Sequence, residues 1–239
     1  MLTTMRRQRR VCPDRSLHHV LNRANRRAGI FFKTADYEAF LTILVEGLEK
    51  VPVRILAFCV MPNHWHLVLF IEQAVHLSEY LHWVTSTHVR RYHKAHDTVG
   101  LGHLYQNRYR NFLIQDDVHL LNVMRYVEAN ALRAGLVSRA EDWRWSSLHR
   151  STTSDGRQLI SPPPVPRPPT WIELVNHPEP RLEQIRSALE HGHPFGDRNY
   201  VEEAVRRYGL EHTVRRTGAA GKYTSGMACH QLSAEADNW

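Results

Sequence analysis

The sequence predicts an α+β fold: a ferredoxin-like β-α-β-β-α-β domain with an antiparallel sheet, an added tyrosine-bearing helix and a small C-terminal helical extension. Three observations carry this. Between Leu17 and Gln115, apolar residues follow strand and helix periods in the order strand, helix, strand, strand, helix, strand. Only Pro62-Asn63 separates the two middle strands, which leaves room for little but an antiparallel hairpin. At 239 residues, 42% hydrophobic and 23% charged, the chain can bury one good core and still carry an appendage.

Leu17 to Leu21 reads as a short strand running into the basic turn Asn22-Arg23-Ala24-Asn25-Arg26-Arg27. Asp36 is a candidate N-cap for a helix in which Phe40, Leu41, Leu44, Val45 and Leu48 share a face, and Pro52 stops it. Val53 to Val60 is apolar on both faces apart from Arg54, and His64 to Ile71 continues as the next strand. Leu77, Leu81, Val84, His88 and Tyr92 mark a second helix ending before Gly100 and Gly102. Tyr105 to Gln115 then alternates as a basic strand or ribbon. A sheet of this kind has helices on one face, so its other face is expected to be free for a site.

The added helix starts at Asp116 or Asp117 and ends at Gly135, with Leu120, Val123, Val127, Ala131 and Ala134 on its apolar face. Tyr126, Asn130 and Arg133 fall on one edge of that face, and Tyr126 and Asn130, one turn apart, can reach the same point. The pattern equally fits a half-buried packing tyrosine with its hydroxyl in water. Ser161 to Pro169 is Pro-rich, stiff and extended, and marks a boundary. The expected organisation is a domain over 1–150, a linker over 151–172, a helical extension over 173–215 and a disordered tail over 216–239. The extension is either a helix-turn-helix for nucleic acid or an arm that packs back on the main domain, since so few residues make a thin core.

A net charge of +7 and a pI near 9.6 favour a polyanionic partner. Cys12, Cys59 and Cys229 are odd in number and far apart, against a disulfide framework and in keeping with a reducing cytoplasm. Arg6, Arg7, Arg9 and Arg10 precede residues too polar for a signal-peptide core, and no run approaches the roughly 20 apolar residues of a membrane helix.

His64 and His66 are the most informative pair. Strand side chains alternate, so both imidazoles point to one face and can share a metal while Trp65, Leu67 and Leu69 point to the other. With 17 histidines, about one His-x-His arises by chance, and His191-Gly192-His193 is a second pair, in a turn with no strand to fix it. Context separates them.

With both halves placed, the chain resembles the REP-associated tyrosine transposases, a branch of the single-tyrosine HUH nucleases. The resemblance rests on Met61-Pro62-Asn63-His64-Trp65-His66-Leu67, Tyr105-Gln106-Asn107-Arg108-Tyr109, Gln115-Asp116-Asp117 and the segment from Tyr126 to Val137. Trp143-Arg144-Trp145-Ser146-Ser147 is similar to the segment closing the family's catalytic domain, and Pro194 to Leu210 to the extension of longer members. Membership would imply a ferredoxin-like fold over 1–150, metal-dependent cleavage and transfer of single-stranded DNA near palindromic hairpin repeats, and nucleoid association. By analogy His64, His66 and Asn130 hold Mg²⁺ or Mn²⁺ and Tyr126 is the nucleophile. Members commonly carry Pro after that Asn, whereas here Ala131 is expected to let the helix run on.

Arg108 and Arg110 interleaved with Tyr105 and Tyr109 offer phosphate contacts beside stacking surfaces, as does an ordinary charged edge strand. Arg23, Arg26, Arg27 and Arg133 are further candidate DNA contacts, and Arg206 and Arg207 could grip a hairpin stem. Two other functions fit: a non-catalytic, domesticated repeat-binding protein of the same fold, and a zinc hydrolase using the His pair. Monomer and homodimer, and a tyrosine acting within its own chain or a partner's, all remain open.

Overall fold

The structure, a computed structural model, describes residues 11–214. The expectations for Arg6 to Arg10, for Cys229 and for the tail over 216–239 lie outside the described residues. Strands β1 (Ser16–Arg23), β2 (Val53–Met61), β3 (His64–Ile71) and β4 (Arg110–Ile114) form an antiparallel sheet in the order β2-β3-β1-β4. Helices α1 (Thr34–Leu48) and α2 (Ala74–Ala95) complete the β-α-β-β-α-β order.

The two-residue period of β3 sorts its side chains as expected. Trp65, Leu67 and Leu69 sink into a core with Phe40, Leu44, Tyr80 and Leu81 of α1 and α2, each such side chain stabilising by roughly 1.5–3 kcal/mol. Val68, in step with His64 and His66, belongs to a second core on the opposite face.

That opposite face is not open. Leu17, Leu21, Phe112 and Ile114 make it too apolar to face water, and they bury against Leu120, Val123 and Val127 of α3 (Val118–Glu128). Trp171 of α5 (Trp171–Asn176) and Ile185 and Leu189 of α6 (Leu182–His191) complete this core. A register shift between Ile55 and Ala57 lets both Leu56 and Ala57 join it.

The C-terminal segment is therefore an arm packed back on the sheet. It also covers the sheet's edges, which would otherwise present unpaired backbone. Phe195 N donates to the Leu113 carbonyl (2.8 Å) and Phe195 O accepts from Gln115 N (2.9 Å), beside β4. At the other edge Val60 N bonds Trp145 O (2.8 Å), Ser147 N bonds Phe58 O (2.9 Å) and Ser161 N bonds Ile55 O (2.8 Å). The Pro-rich stretch is strapped down further by Arg54, whose guanidinium donates to the Pro162 carbonyl. Helices α7 (Arg198–Tyr208) and α8 (Glu211–Val214) end the described chain.

Four local readings change. Asp36 is the third residue of α1, not its cap, and its carboxylate reaches back to the backbone N–H groups of Phe32 (2.9 Å) and Lys33 (3.2 Å). Only Arg110–Ile114 of the basic segment is strand, because Gln106, Asn107 and Arg108 form an exposed bend before it. Tyr105 and Tyr109, expected as stacking surfaces, are each only 9% exposed and pack in the first core. The Tyr105 hydroxyl accepts from Trp65 Nε1 (2.9 Å) and bonds His88 Nδ1 (2.6 Å). Finally, α3 stops at Glu128: Ala129 leaves the helical region (φ −81°, ψ 3°) and a short α4 (Asn130–Arg133) comes next. The break thus occurs with Ala131 in place, and the Ala131 N–H is turned to the Cys59 sulfur.

Among the described residues, no helix is long and apolar enough to cross a membrane.

Burial pushes the His88 pKa down to about 3 from 6.5. Below pH 6.5 the unfolded chain binds a proton there that the folded chain refuses, so this stability is complete above pH 6.5 and is lost as pH falls towards 3. Urea unfolding at pH 7.5 and 5.5 should show His88→Gln losing about 1.4 kcal/mol less between the two conditions than the parent. Equal losses would contradict a neutral buried His88.

Candidate active site

β3 begins where the two-residue turn Pro62-Asn63 ends, and that turn is held from outside. Ala24 N donates to Asn63 O (2.9 Å), and Ile30 N and Phe31 N to Pro62 O (2.8 and 3.1 Å). Asn63 Oδ1 in turn accepts from His64 Nδ1 (2.6 Å), which places the His64 proton on Nδ1 and leaves the lone pair on Nε2. His66 is fixed in the same way by a residue of β1: its Nδ1 bonds His19 Nε2 at 2.9 Å, with the rings stacked 5.0 Å apart. With His66 as the donor of that bond, Nε2 is again the nitrogen left for a ligand. The two imidazoles of the pair sit 5.0 Å apart, edge to face.

Burial holds all three histidines neutral. The His64 and His19 pKa values fall to about 3, with Arg23 and Arg133 adding to the effect on His64 and Arg133 on His19. His66 is driven well below its ordinary value by burial, then by His19, His64 and the same arginines. Neutral imidazole is the metal-binding form.

Tyr126 closes the site from α3, its ring 5.9 Å from that of His66 and 6.0 Å from that of His19. It is only 5% exposed, so it is a buried side chain beside polar groups rather than a packing tyrosine with its hydroxyl in bulk water. Arg133 lies over it, Cζ 4.2 Å from the ring centroid, and Nη1 donates to the Tyr126 carbonyl (2.8 Å). The phenol and Arg23 are near enough for their charges to interact. The helix break after Glu128 brings Asn130 to the same place, and its Nδ2 is buried without a protein partner.

His64, His66, Tyr126, Asn130, Arg23 and Arg133 thus line one cavity of about 220 Å³. Arg27, Arg108 and Arg110 line an adjoining one of about 510 Å³, to which Arg23 and Tyr126 also contribute. Burial and the neighbouring charges of Arg27 and Arg110 lower the Arg23 pKa, the mark of like charges gathered where an anion would relieve them. Arg26 sits on an exposed turn and lines neither cavity, and Arg206 and Arg207 lie in the last turn of α7, also outside them. His191 and His193 cap the end of α6 through Ser187.

Two neutral imidazoles beside the Asn130 amide, whose Oδ1 would be the donor, make an incomplete ligand set that a divalent ion would complete with phosphate oxygens, and the arginine rim suits that phosphate. Among the described residues, no three His, Cys, Asp or Glu side chains converge as a closed protein metal site would require. Nor does any carboxylate line the smaller cavity, which holds His64 and His66; Glu190 lines the adjoining one.

Three contributors escaped sequence reasoning. His19 shares the strand parity of Leu17 and Leu21, a usable signal once β1 and β3 are known to be neighbours. Arg186 and Glu128 had none, because both act through the C-terminal arm. Glu128 is fully buried under α3, where burial raises its pKa against the pull of Arg167, Ser147 and Trp171. It accepts from Ser147 Oγ (2.5 Å), Arg167 Nη2 (2.8 Å) and Trp171 Nε1 (2.7 Å).

Residues 14–130 match the family model described as "Transposase IS200 like". A curated Haemophilus influenzae protein carrying the name REP-associated tyrosine transposase is 25% identical over 129 residues, 50% of this chain and 73% of that one. Among solved structures, a REP-associated tyrosine transposase bound to a REP hairpin superposes with a TM-score of 0.51 at 19% identity, covering 66% of this chain and 91% of that one. At that identity the likeness concerns the fold.

Replacing Glu128 by Leu takes the acceptor from two buried donors, Ser147 Oγ and Trp171 Nε1, and the carboxylate partner from Arg167. Glu128→Leu should cost about 3 kcal/mol, which for a chain of this size is roughly 6–12 °C in Tm. A calorimetric Tm within 2 °C or so of the parent would show that the carboxylate does not clamp α3.

Proposed function

We propose that the chain, whose residues 14–130 match the family model of IS200-like transposases, is a member of that family and an active single-tyrosine nuclease and strand transferase. Its substrate is single-stranded DNA beside palindromic hairpin repeats. The observation that carries this reading is the convergence of Tyr126 from α3 with His64 and His66 from β3 in one cationic cavity.

Tyr126 Oη attacks the scissile phosphorus. A new P–O bond to tyrosine forms, the bond to the 3′ oxygen breaks, and the product is a 5′-phosphotyrosine and a free 3′-hydroxyl. The phenol proton passes to solvent and the departing oxygen is protonated. A phenol with an ordinary pKa near 10 is a weak nucleophile at neutral pH, so nearby positive charge is required to favour its ionised form. Arg23 and Arg133 are placed to supply it. Because the covalent bond retains the phosphodiester energy, attack by another 3′-hydroxyl rejoins strands without ATP.

His64, His66 and Asn130 would hold Mg²⁺ or Mn²⁺, which when bound supplies Lewis-acid polarisation of the phosphate. The role of His19 is to fix the orientation of His66 through Nδ1, as an outer partner does for a ligating imidazole. Imidazole donors favour Mn²⁺ over Mg²⁺. An active copy is supported by the helix break that keeps Asn130 in the cavity despite Ala131. The cavity that holds His64 and His66 has no carboxylate in its lining, which disfavours a zinc hydrolase needing a general base beside its metal.

The test is covalent capture. Incubated with Mn²⁺ and an end-labelled hairpin oligonucleotide with single-stranded flanks, the protein should form a denaturant-stable adduct. Tyr126→Phe should abolish it, a loss of at least 10³-fold, while leaving binding within about twofold. An adduct that persists in Tyr126→Phe overturns the mechanism, and hairpin binding without any adduct favours the domesticated binding protein.

A further inference from the structure

The family match ends at residue 130, but the tyrosine cavity is walled by residues well beyond that point. Arg186 and Leu189 of α6 line the cavity that holds Tyr126, and the same two side chains line the larger basic cavity next to it. That cavity runs on into a third, of about 370 Å³, with which it shares Arg108, Arg110 and His191. The walls there are again β4 on one side and the arm, through His191 and His212, on the other. One continuous trough therefore leads away from Tyr126 between the sheet edge and the arm.

The trough is cationic along most of its length, with Glu190 the acidic residue among its linings. Its arm wall is held in place. Phe195 pairs with β4, Arg125 donates to the carbonyls of His177 (2.9 Å) and Pro178 (2.8 Å), and Arg125 and Glu179 form an ion pair at 3.2 Å. Arg186 stands where the cavities meet. Its pair with Glu183 (2.9 Å) is one turn along the same helix, with the carboxylate 81% exposed, a weak surface interaction that a phosphate can displace.

We propose that the arm is half of the DNA site: the single strand flanking the attacked phosphodiester runs along this trough, with Arg186 on a backbone phosphate next to the scissile one. The proposal rests on the cleavage reading above and adds which part of the chain grips the flank.

The experiment measures binding of a labelled hairpin oligonucleotide, with and without single-stranded flanks, by fluorescence anisotropy across a salt series. With flanks, Arg186→Ala should weaken binding about tenfold and reduce the slope of log K against log salt by about 0.7, one single-strand phosphate contact. Arg186→Lys should keep the slope. Arg198→Ala, the same charge change on the same arm but outside the trough, should match the parent. On the flankless hairpin, Arg186→Ala and parent should coincide. Thermal unfolding confirms that each variant is folded. The proposal is overturned if Arg186→Ala binds the flanked substrate like the parent while Arg23→Ala does not, or if its defect persists without flanks. If Arg23→Ala too binds normally and no Tyr126 adduct forms, the cleavage reading itself has failed.

Discussion

Everything at the site depends on a carboxylate that has nowhere to go. Glu128 is two residues beyond Tyr126 and fully buried, so it must be satisfied by whatever surrounds it. Its three donors come from the segment that lengthens the sheet at β2 (Ser147), from the Pro-rich strap (Arg167) and from the start of the arm (Trp171). Satisfying that one charge fixes α3 against the sheet and brings the arm beside it. The position of the Tyr126 phenol over His66 is the result.

The other half of the site obeys a simpler constraint. A strand that buries Trp65, Leu67 and Leu69 on one face has to present His64 and His66 on the other. Their orientation is finished by two neighbours, Asn63 and His19, each engaging Nδ1. Burial among arginines keeps the rings neutral, and the same arginines form the rim that would receive phosphate. Packing and electrostatics thus act in one direction: a buried, neutral pair of imidazoles, a cationic surround and a phenol between them.

Much of this was legible in the chain. The element order, the antiparallel hairpin and the shared face of the His pair come from periodicity, because alternation in a buried strand admits a single register. What was not legible depends on distant packing. The face expected to be open is covered because Leu17, Leu21, Phe112 and Ile114 need apolar partners, and these come from α3 and from residues after 170. Tyr105 reads as an exposed aromatic among arginines, yet its hydroxyl completes a buried pair with Trp65 and His88. The helix break at Ala129, where Pro at 131 was the expected cause, occurs with Ala131 present and its N–H directed to Cys59. A local propensity argument had no means of seeing that sulfur.

The arm illustrates the same limit on a larger scale. Its amphipathic helices read as either an independent module or a packed extension, and only the sheet's need for cover decides between them.

The central claim is that β3 and the tyrosine helix form one metal site rather than two adjacent features. Anomalous diffraction from crystals grown with Mn²⁺ tests it most directly. The account predicts a single strong peak within bonding distance of His64 Nε2 and His66 Nε2, next to Asn130 and beneath the Tyr126 ring. A saturating Mn²⁺ soak that leaves that position empty, or places the ion at His191 and His193 instead, would contradict it.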